Sequence, residues 1–316
     1  MKFKEINVDY EGGRKDMSTD IKLGRLIDCT FAEALMLRNR GFEQYYSDMT
    51  TTMEGLIGSL HNNSIRPEHS VVAYADGKPV GFVFVGIKTV EGKKLAWNGG
   101  TGVFPEYRGR GIAKQMMIEV SRILKEEEVD RATLEVVTKN AHAIAAYEKG
   151  GFHIVDHLIG LTFADALPQP FYSGPLPSGY EAVYGKPAEA KRLSFYREKV
   201  AWDGMWHNLK HGESLIIRDD AGNAAGYALF VRSFQENGEL SSVDLRQCEV
   251  DPAREDQEQI FRMLLAEVYG PYEHACRRSA SNLITSTKID VQLLKEAGFE
   301  TRYEQYLMIL DKDSGS

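Results

Sequence analysis

The segment Thr101–Ala113 constrains this 316-residue chain more than any other part of its sequence, because it combines a strand end, a tight turn and a helix start. The extended run ends at Val103, and Pro105 removes a backbone donor that a continuing strand would need. Gly109 and Gly111 then allow the backbone conformations of a tight turn. Apolar residues repeat every four positions after this turn, which predicts an amphipathic helix laid on a sheet.

The turn in this segment predicts a phosphate-binding site. Glycines carry no Cβ atom, so successive backbone N–H groups can converge on phosphate oxygens at the positive end of the helix dipole. Two arginines within the turn can add charge-assisted hydrogen bonds. The predicted ligand therefore contains a pyrophosphate, and its predicted binding residues are Arg108, Gly109, Arg110, Gly111, Ile112 and Ala113.

Other phosphate-binding turns are excluded by their spacing. The ATP-type loop needs a lysine and a hydroxyl residue directly after its last glycine, whereas Gly111 is followed by Ile112 and Ala113. The dinucleotide fingerprint needs a third glycine or alanine three positions after the second glycine. Lys114 stands at that position, so this fingerprint is absent.

A second motif follows the phosphate turn. The run Ala132–Val137 predicts a strand, and Asn140 is a suitable cap for the helix that follows. That helix carries Ala143 and Tyr147 and ends at a glycine stop that includes Gly151.

Together the two motifs resemble a known family. Residues 103–113 resemble, position for position, the Val-x-Pro-x-x-Arg-Gly-x-Gly-x-Ala signature of the GNAT superfamily of acetyl-coenzyme-A-dependent N-acetyltransferases. Residues 140–152 are similar to the family's Asn-x-x-Ala-x-x-x-Tyr-x-x-x-Gly-Phe pattern. The resemblance implies an enzyme that transfers an acetyl group from acetyl-coenzyme A to a primary amine of a small molecule or peptide.

The resemblance also assigns roles to single residues. It implies that the strand ending at Val103 diverges from the strand 132–138, and that backbone groups of Gly102 and Val103 hydrogen-bond the pantetheine arm of the cofactor. It makes Tyr147 the general acid, since a phenol with a reference pKa of about 10 keeps its proton at neutral pH. Packing alone is the alternative role for this tyrosine. Asn140 either caps its helix alone or contacts the cofactor as well.

The second half of the chain repeats the order of elements in the first half. A predicted hairpin at 214–231 reproduces the predicted hairpin at 70–87, and Val250-Asp251-Pro252 parallels Val103-Phe104-Pro105. We therefore expect an α/β protein with two GNAT-like domains, each a twisted mixed sheet flanked by helices.

The composition along the chain predicts where the domain boundaries lie. Residues 166–178 contain four of the ten prolines, as is typical of a linker. The predicted catalytic domain covers residues 1–165, and within it residues 1–18 predict a loose polar arm. The predicted degenerate domain covers residues 179–316.

The second domain is predicted to be degenerate because it lacks the residues of the cofactor site. When the two halves are aligned on their prolines, Glu255, Asp256 and Glu258 stand in place of an arginine and two glycines of the phosphate turn. These acidic side chains would repel a pyrophosphate. Aligned on the Gly-Phe pair, Leu294 stands in place of the tyrosine.

Charge and cysteine content limit the partners. A net charge of −8 argues against binding to nucleic acids or anionic membranes, which usually requires a basic surface. The three cysteines have no metal-ligand spacing and form no disulfide framework, and the first residues lack the apolar segment of a signal peptide. We expect a cytoplasmic protein without a metal, and the sequence leaves a homodimer open.

Several questions stay open at the level of sequence. The amine acceptor is not identified, and neither is the general base. Candidate bases or participants are Asp48, Glu54, His61 and Asn98, and none is favoured by its spacing. The aromatic residues Phe42, Tyr45 and Tyr46 favour a core role, with a place in the acceptor pocket as the alternative.

Two other readings compete with an acetyltransferase. The first is a coenzyme-A-binding sensor or scaffold without turnover, against which the intact tyrosine and turn argue. In the second, the carboxy-terminal unit selects partners, either by dimerising or by closing the acceptor pocket.

Overall fold

A computed structural model describes residues 20–168, 171–172, 176–287 and 289–312. The predicted arm at residues 1–18 lies outside these residues, and so do five residues of the predicted linker. Within the described part of the chain, twelve strands form one continuous mixed sheet, and helices pack on it. None of the helices in these ranges has the length and the apolar character needed to cross a bilayer.

Local sequence signals set the helix boundaries of the amino-terminal half. Thr30 and Glu33 form a capping box, and Thr52 caps the next helix by accepting a hydrogen bond from Gly55 N. The elements of this half are β1 (Ile21–Arg25), α1 (Phe31–Gly41), α2 (Met53–Asn62), β2 (Val71–Ala75), β3 (Lys78–Val90), β4 (Lys93–Val103), α3 (Ile112–Glu126), β5 (Arg131–Val137), α4 (Ala141–Lys149) and β6 (His153–Phe163).

The carboxy-terminal half repeats this order with a shorter first helix, and two 3-10 helices stand where α2 lies in the first half. The predicted hairpin of each half is confirmed, with the tight turn of the first at Asp76 and Gly77, both at positive φ. The elements are β7 (Tyr180–Gly185), α5 (Pro187–Ala190), β8 (Glu213–Asp219), β9 (Ala224–Phe234), β10 (Leu240–Val250), α6 (Gln257–Tyr269), β11 (Arg277–Ile284), α7 (Ile289–Glu296) and β12 (Glu300–Asp311).

The two halves exchange their last strands. The strand order is β1-β2-β3-β4-β5-β12-β6-β11-β10-β9-β8-β7, so β12 lies between β5 and β6, and β6 lies between β12 and β11. Each half therefore supplies a strand to the other half of the sheet. The sequence did not predict this arrangement, which joins the sheets of the two predicted domains into one.

Helices cover both faces of the amino-terminal part of the sheet. Gly41 at the end of α1 packs against Phe82 on one face, and Met116 of α3 packs against the neighbouring Gly81 on the other. Successive residues of a strand point to opposite faces, so α1 and α3 enclose β3 between them. The resulting core includes Leu37, Val83 and Met117, all buried.

A segment of the carboxy-terminal half crosses to the amino-terminal half. This segment contains two short 3-10 helices, Trp202–Gly204 and Trp206–Asn208, and the first of them packs over the sheet where β5 meets β12. A buried cluster joins Trp202 to Leu307 and Ile309 of β12. The halves thus share a core as well as strands.

We predict that neither half folds alone, because each would leave strands without partners. A chain ending at residue 165 would expose the β5 edge that pairs with Gln305–Asp311, and β6 would lose β11 and β12. We expect fragments 20–165 and 176–312 to aggregate when expressed singly and to co-purify as a 1:1 complex when co-expressed. A soluble monomeric 20–165 fragment with cooperative thermal unfolding would contradict the exchange.

Candidate functional site

Strands β4 and β5 diverge, as the family resemblance implied. They pair in parallel only from Leu95 to Trp97, opposite Arg131–Thr133. Beyond this point β4 has an irregularity in its pairing with β3 between Asn98 and Gly100, and Gly100 has a φ of 146°. A glycine tolerates this φ, and the bulge turns the rest of β4 away from β5.

The divergence opens a cleft of about 630 Å³. The cleft lies between the end of β4, the turn before α3, helix α4 and the segment after α1. Nine of the predicted site residues line it, namely Gly102, Val103, Arg108, Gly109, Gly111, Ile112, Ala113, Asn140 and Tyr147.

The turn before α3 has the geometry of an anion-binding helix start. Gly109 and Gly111 both have a φ of 76°, which side chains disfavour, and a Cβ atom on either would meet nothing within 4 Å. The first backbone bond within α3 runs from Gln115 N to Gly111 O, so the N–H groups before it have no acceptor within the helix. No acidic residue lies in the first turn of α3.

The two arginines of the turn contact the protein. The Arg108 guanidinium donates to the carbonyl oxygens of Val103, Gly41 and Glu43 at 2.9, 3.2 and 2.6 Å. Arg110 donates to the carbonyl oxygen of Glu106 at 3.0 Å and lies over the ring of Tyr107. Arg108 lines the cleft while joining β4 to the end of α1, and the cleft lining does not include Arg110.

Gly102 is the point where α1 approaches β4 most closely. A Cβ atom at Gly102 would lie 2.5 Å from Cε1 of Phe82 and 2.9 Å from the Cα atom of Gly41. The end of α1 can therefore reach the sheet only because this position has no side chain.

On the opposite wall, Asn140 caps α4 by accepting a hydrogen bond from Ala143 N at 3.2 Å, which confirms the capping role.

Tyr147 is the buried polar group of the cleft. Tyr147 is 7% exposed, and its phenol lies within hydrogen-bonding reach of the Thr101 hydroxyl. Burial raises the pKa of Tyr147 to about 12, and the contact with Thr101 opposes that rise only in part. Thr101 is held in turn by Asn98, whose amide donates to its hydroxyl at 2.9 Å. The phenol is thus positioned and remains protonated at neutral pH.

An aromatic strap, defined here as Phe42, Tyr45 and Tyr46, crosses the cleft after α1. Phe42 packs edge-on against Phe82 with ring centroids 5.7 Å apart, whereas Tyr46 is 55% exposed. The Tyr46 hydroxyl donates to Lys139 O at 3.1 Å, which ties the strap to the loop after β5. The core role that the sequence favoured fits Phe42, while all three rings line the cleft.

Glu135 on β5 does not line the cleft, but it is a neighbouring acid that the sequence did not identify and whose charge acts on Tyr147. Its carboxylate accepts hydrogen bonds from Trp97 Nε1 and from the backbone N of Trp202, both at 2.8 Å. Burial, and secondarily the negative charge of Asp203, raise the pKa of Glu135 to about 7. The residue keeps partial exposure, and its charge also contributes to the raised pKa of Tyr147. A lone acid within the apolar run 132–137 is the signal that could have identified it.

The four candidate bases named from sequence are placed less suitably. Asp48 is exposed and accepts a hydrogen bond from Thr50 N, and Glu54 and His61 are exposed on α2. Asn98 is buried and holds the β4 bulge by accepting from Gly100 N. Among the described residues, no three His, Cys, Asp or Glu side chains are grouped to hold a metal ion.

The equivalent turn of the carboxy-terminal half is closed by its own side chains. Arg254 donates to Asp256 at 2.8 Å, to Asp219 at 3.1 Å and to the Tyr180 hydroxyl at 2.9 Å. Asp256, which sequence alignment placed opposite a glycine of the first turn, is thus part of an ion-pair network. The equivalent crevice between β10 and β11 is only about 10 Å³.

Comparisons with known proteins agree with this geometry. Residues 34–152 match the sequence profile of the acetyltransferase (GNAT) family. A search of curated proteins finds no match.

Solved structures share the fold of almost the whole chain. A GCN5-related N-acetyltransferase from Sphaerobacter thermophilus is 14% identical with a TM-score of 0.62, covering 92% of this chain and 96% of its own. A tandem GNAT protein from the clavulanic acid biosynthesis pathway is 15% identical with a TM-score of 0.57, covering 94% and 99%. A putative acetyltransferase from Pyrococcus horikoshii is 15% identical with a TM-score of 0.51, covering 96% and 93%. At these identities the likeness concerns the fold alone.

We predict opposite effects on stability from two Gly→Ala substitutions in the amino-terminal half. Gly102→Ala places a methyl group against backbone and should destabilise the protein by at least about 2 kcal/mol, the range of overpacking. Gly58→Ala, inside α2 with nothing within 4 Å, should be neutral or stabilise by up to about 1 kcal/mol. Denaturant unfolding of both variants measures this. An unchanged midpoint for Gly102→Ala would mean that α1 does not contact β4 in this way.

Proposed function

We propose that the protein transfers the acetyl group of acetyl-coenzyme A to a primary amine of a small molecule or peptide, as the match of residues 34–152 to the acetyltransferase (GNAT) family supports. The observation that carries this proposal is the meeting of three features in one cleft: a glycine turn at a helix start, two diverging strands and a buried phenol. We also propose that residues 1–165 form the catalytic domain, 166–178 the linker and 179–316 a degenerate domain.

The residues of the cleft fit coenzyme A. Gly109 and Gly111 leave open space at the start of a 15-residue helix, as a pyrophosphate requires. Backbone groups of Gly102 and Val103 would bind the pantetheine arm beside the diverging strand, in the manner of an added strand. When bound, acetyl-coenzyme A supplies the acetyl thioester that the amine attacks.

Tyr147 is the proposed general acid. Its phenol keeps its proton at neutral pH because burial raises its pKa to about 12. It is directed by Thr101 and faces the same cleft as the phosphate turn. As the carbon–sulfur bond breaks, the phenolic proton moves to the leaving sulfur.

Glu135 is the proposed general base. An attacking amine must lose a proton, and a carboxylate with a pKa of about 7 can accept it near neutral pH. Glu135 lies on the strand that borders the divergence from β4, and its charge is close enough to Tyr147 to affect that phenol. The proton of the amine thus moves to Glu135, directly or through a water molecule.

The direct test is release of thiol from acetyl-coenzyme A over a panel of amines that includes polyamines, amino acids, peptides and lysine side chains. Amine-dependent thiol release, with an acetylated product of the matching mass, supports the proposal. Tight coenzyme A binding without thiol release on any amine would instead favour a sensor or scaffold.

We predict that Gly111→Glu weakens coenzyme A binding by at least about tenfold, or 1.4 kcal/mol. The carboxylate would repel the pyrophosphate, and a side chain at a φ of 76° is strained. Gly238→Glu is the matched control, since Gly238 also has a positive φ and open space but lies in a turn of the other half. Calorimetric titration of both variants measures the effect, and equal affinities would place the pyrophosphate elsewhere.

We predict that Tyr147→Phe lowers kcat by roughly 10²-fold or more, the usual contribution of general acid catalysis. The Kd of coenzyme A should change less than about twofold, a shift below 0.5 kcal/mol. Tyr269→Phe removes another buried phenol, which donates to Ser279 O, and should leave kcat unchanged. Turnover of Tyr147→Phe equal to that of the parent protein would remove the assignment.

A further inference from the structure

A segment of the carboxy-terminal half covers Glu135 in the amino-terminal half. The Trp202 ring, 1% exposed, stacks on Trp97 with an angle of 3° between the ring planes and centroids 6.0 Å apart. The two tryptophans approach the same carboxylate from two sides, one through its indole N–H and the other through its backbone N–H. Glu135 is therefore held by one group from each half of the chain.

The covering segment is anchored on its own half, so its position does not depend on Glu135. Asn282 donates to the Asp203 carboxylate at 3.1 Å, and Arg246 forms an ion pair with it. Gln247 donates to Gly204 O at 2.9 Å. These contacts fix residues 202–204 on β10 and β11.

We propose that the Trp202–Asp203 segment positions the Glu135 carboxylate, so that the carboxy-terminal half completes the catalytic site of the amino-terminal half. Trp202 supplies a fixed backbone donor, and its ring covers one side of the carboxylate. Asp203 supplies a negative charge next to it. This inference rests on the proposed role of Glu135 as the base, and it assigns Trp202 and Asp203 as positioning residues.

The charged groups around Glu135 are few. The charge of Asp203 acts on it from the covering segment, its own charge acts on Tyr147 of α4, and the opposite residue on β12 is the apolar Leu307. Lys88 of β3 lies across the Trp202 ring, 5.4 Å from its centroid. His207 packs against the same ring, and burial lowers its pKa to about 4, well below the pKa of Glu135.

Tryptophan emission can report the protonation of Glu135 without any turnover. The chain has three tryptophans, and two of them hydrogen-bond to this carboxylate. When Trp206 is replaced by phenylalanine (Trp206→Phe), Trp97 and Trp202 are the tryptophans that remain. Fluorescence excited at a wavelength that only tryptophan absorbs then comes from these two residues. We expect a transition with a midpoint near pH 7, which Glu135→Gln abolishes.

Asp203→Asn in this background should lower the midpoint by about half a pH unit or more, because removal of a neighbouring negative charge favours the ionised carboxylate. Asp244→Asn is the matched control, since Asp244 also pairs with Arg246 but is not among the groups that act on Glu135. A shift for Asp203→Asn that exceeds the shift for Asp244→Asn supports the inference. Equal shifts, or a transition that persists in Glu135→Gln, overturn it.

The pH profile of kcat/KM provides the second measurement. Its acidic limb should move to lower pH in Asp203→Asn and in Trp202→Ala, and should stay in place in Asp244→Asn. If the protein is active but neither the acidic limb of kcat/KM nor the midpoint of the fluorescence transition moves in the Asp203 and Trp202 variants, only the positioning role is contradicted. A shift in emission without thiol release from acetyl-coenzyme A contradicts only the proposed reaction.

Discussion

The cleft depends on how β5 is held. β5 pairs with β4 over three residues but with β12 over seven, from Arg131 to Val137. A strand can leave one neighbour only when its other edge is fully paired, because buried backbone groups need partners. β12 therefore holds β5 in place while β4 turns away from it, and the end of β4 that the divergence frees lines the cleft, where a ligand can bind it. A strand near the end of the sequence thus determines the shape of a site formed by the first half.

The two halves use the same fold in opposite ways. In both halves a parallel strand pair separates after three or four residues. In the first half small residues and glycines leave the space open, whereas in the second half large polar side chains fill it. Arg197 pairs with Glu249, and Tyr227 donates to Gln247 at 2.8 Å, so the crevice closes around satisfied polar groups. Beyond the parallel strand pair, side chains thus occupy the crevice in the second half, whereas the corresponding space in the first half is open.

The sequence could predict features that depend on neighbouring residues. The helix caps at Thr30, Thr52 and Asn140, the Asp76-Gly77 hairpin and the glycine turn all follow from local backbone chemistry. The exchange of β6 and β12 could not be predicted, because alternating apolar residues indicate a strand but not its partner. Glu135 was missed for a related reason, since its environment is created by Trp202, which lies 67 residues away in the chain.

The shared core explains why a half without an open cofactor site remains coupled to the site of the other half. Trp202, Leu307 and Ile309 belong to one buried cluster that lies directly on β5. A shift of this cluster would move β5 and expose Glu135 further to water, which would lower the pKa of Glu135 toward that of an ordinary carboxyl. The same packing that stabilises the sheet therefore sets the proton affinity of the carboxylate. Division of the chain at the predicted linker would therefore disturb both the stability of the sheet and the pKa of Glu135, because the same contacts between the halves support both.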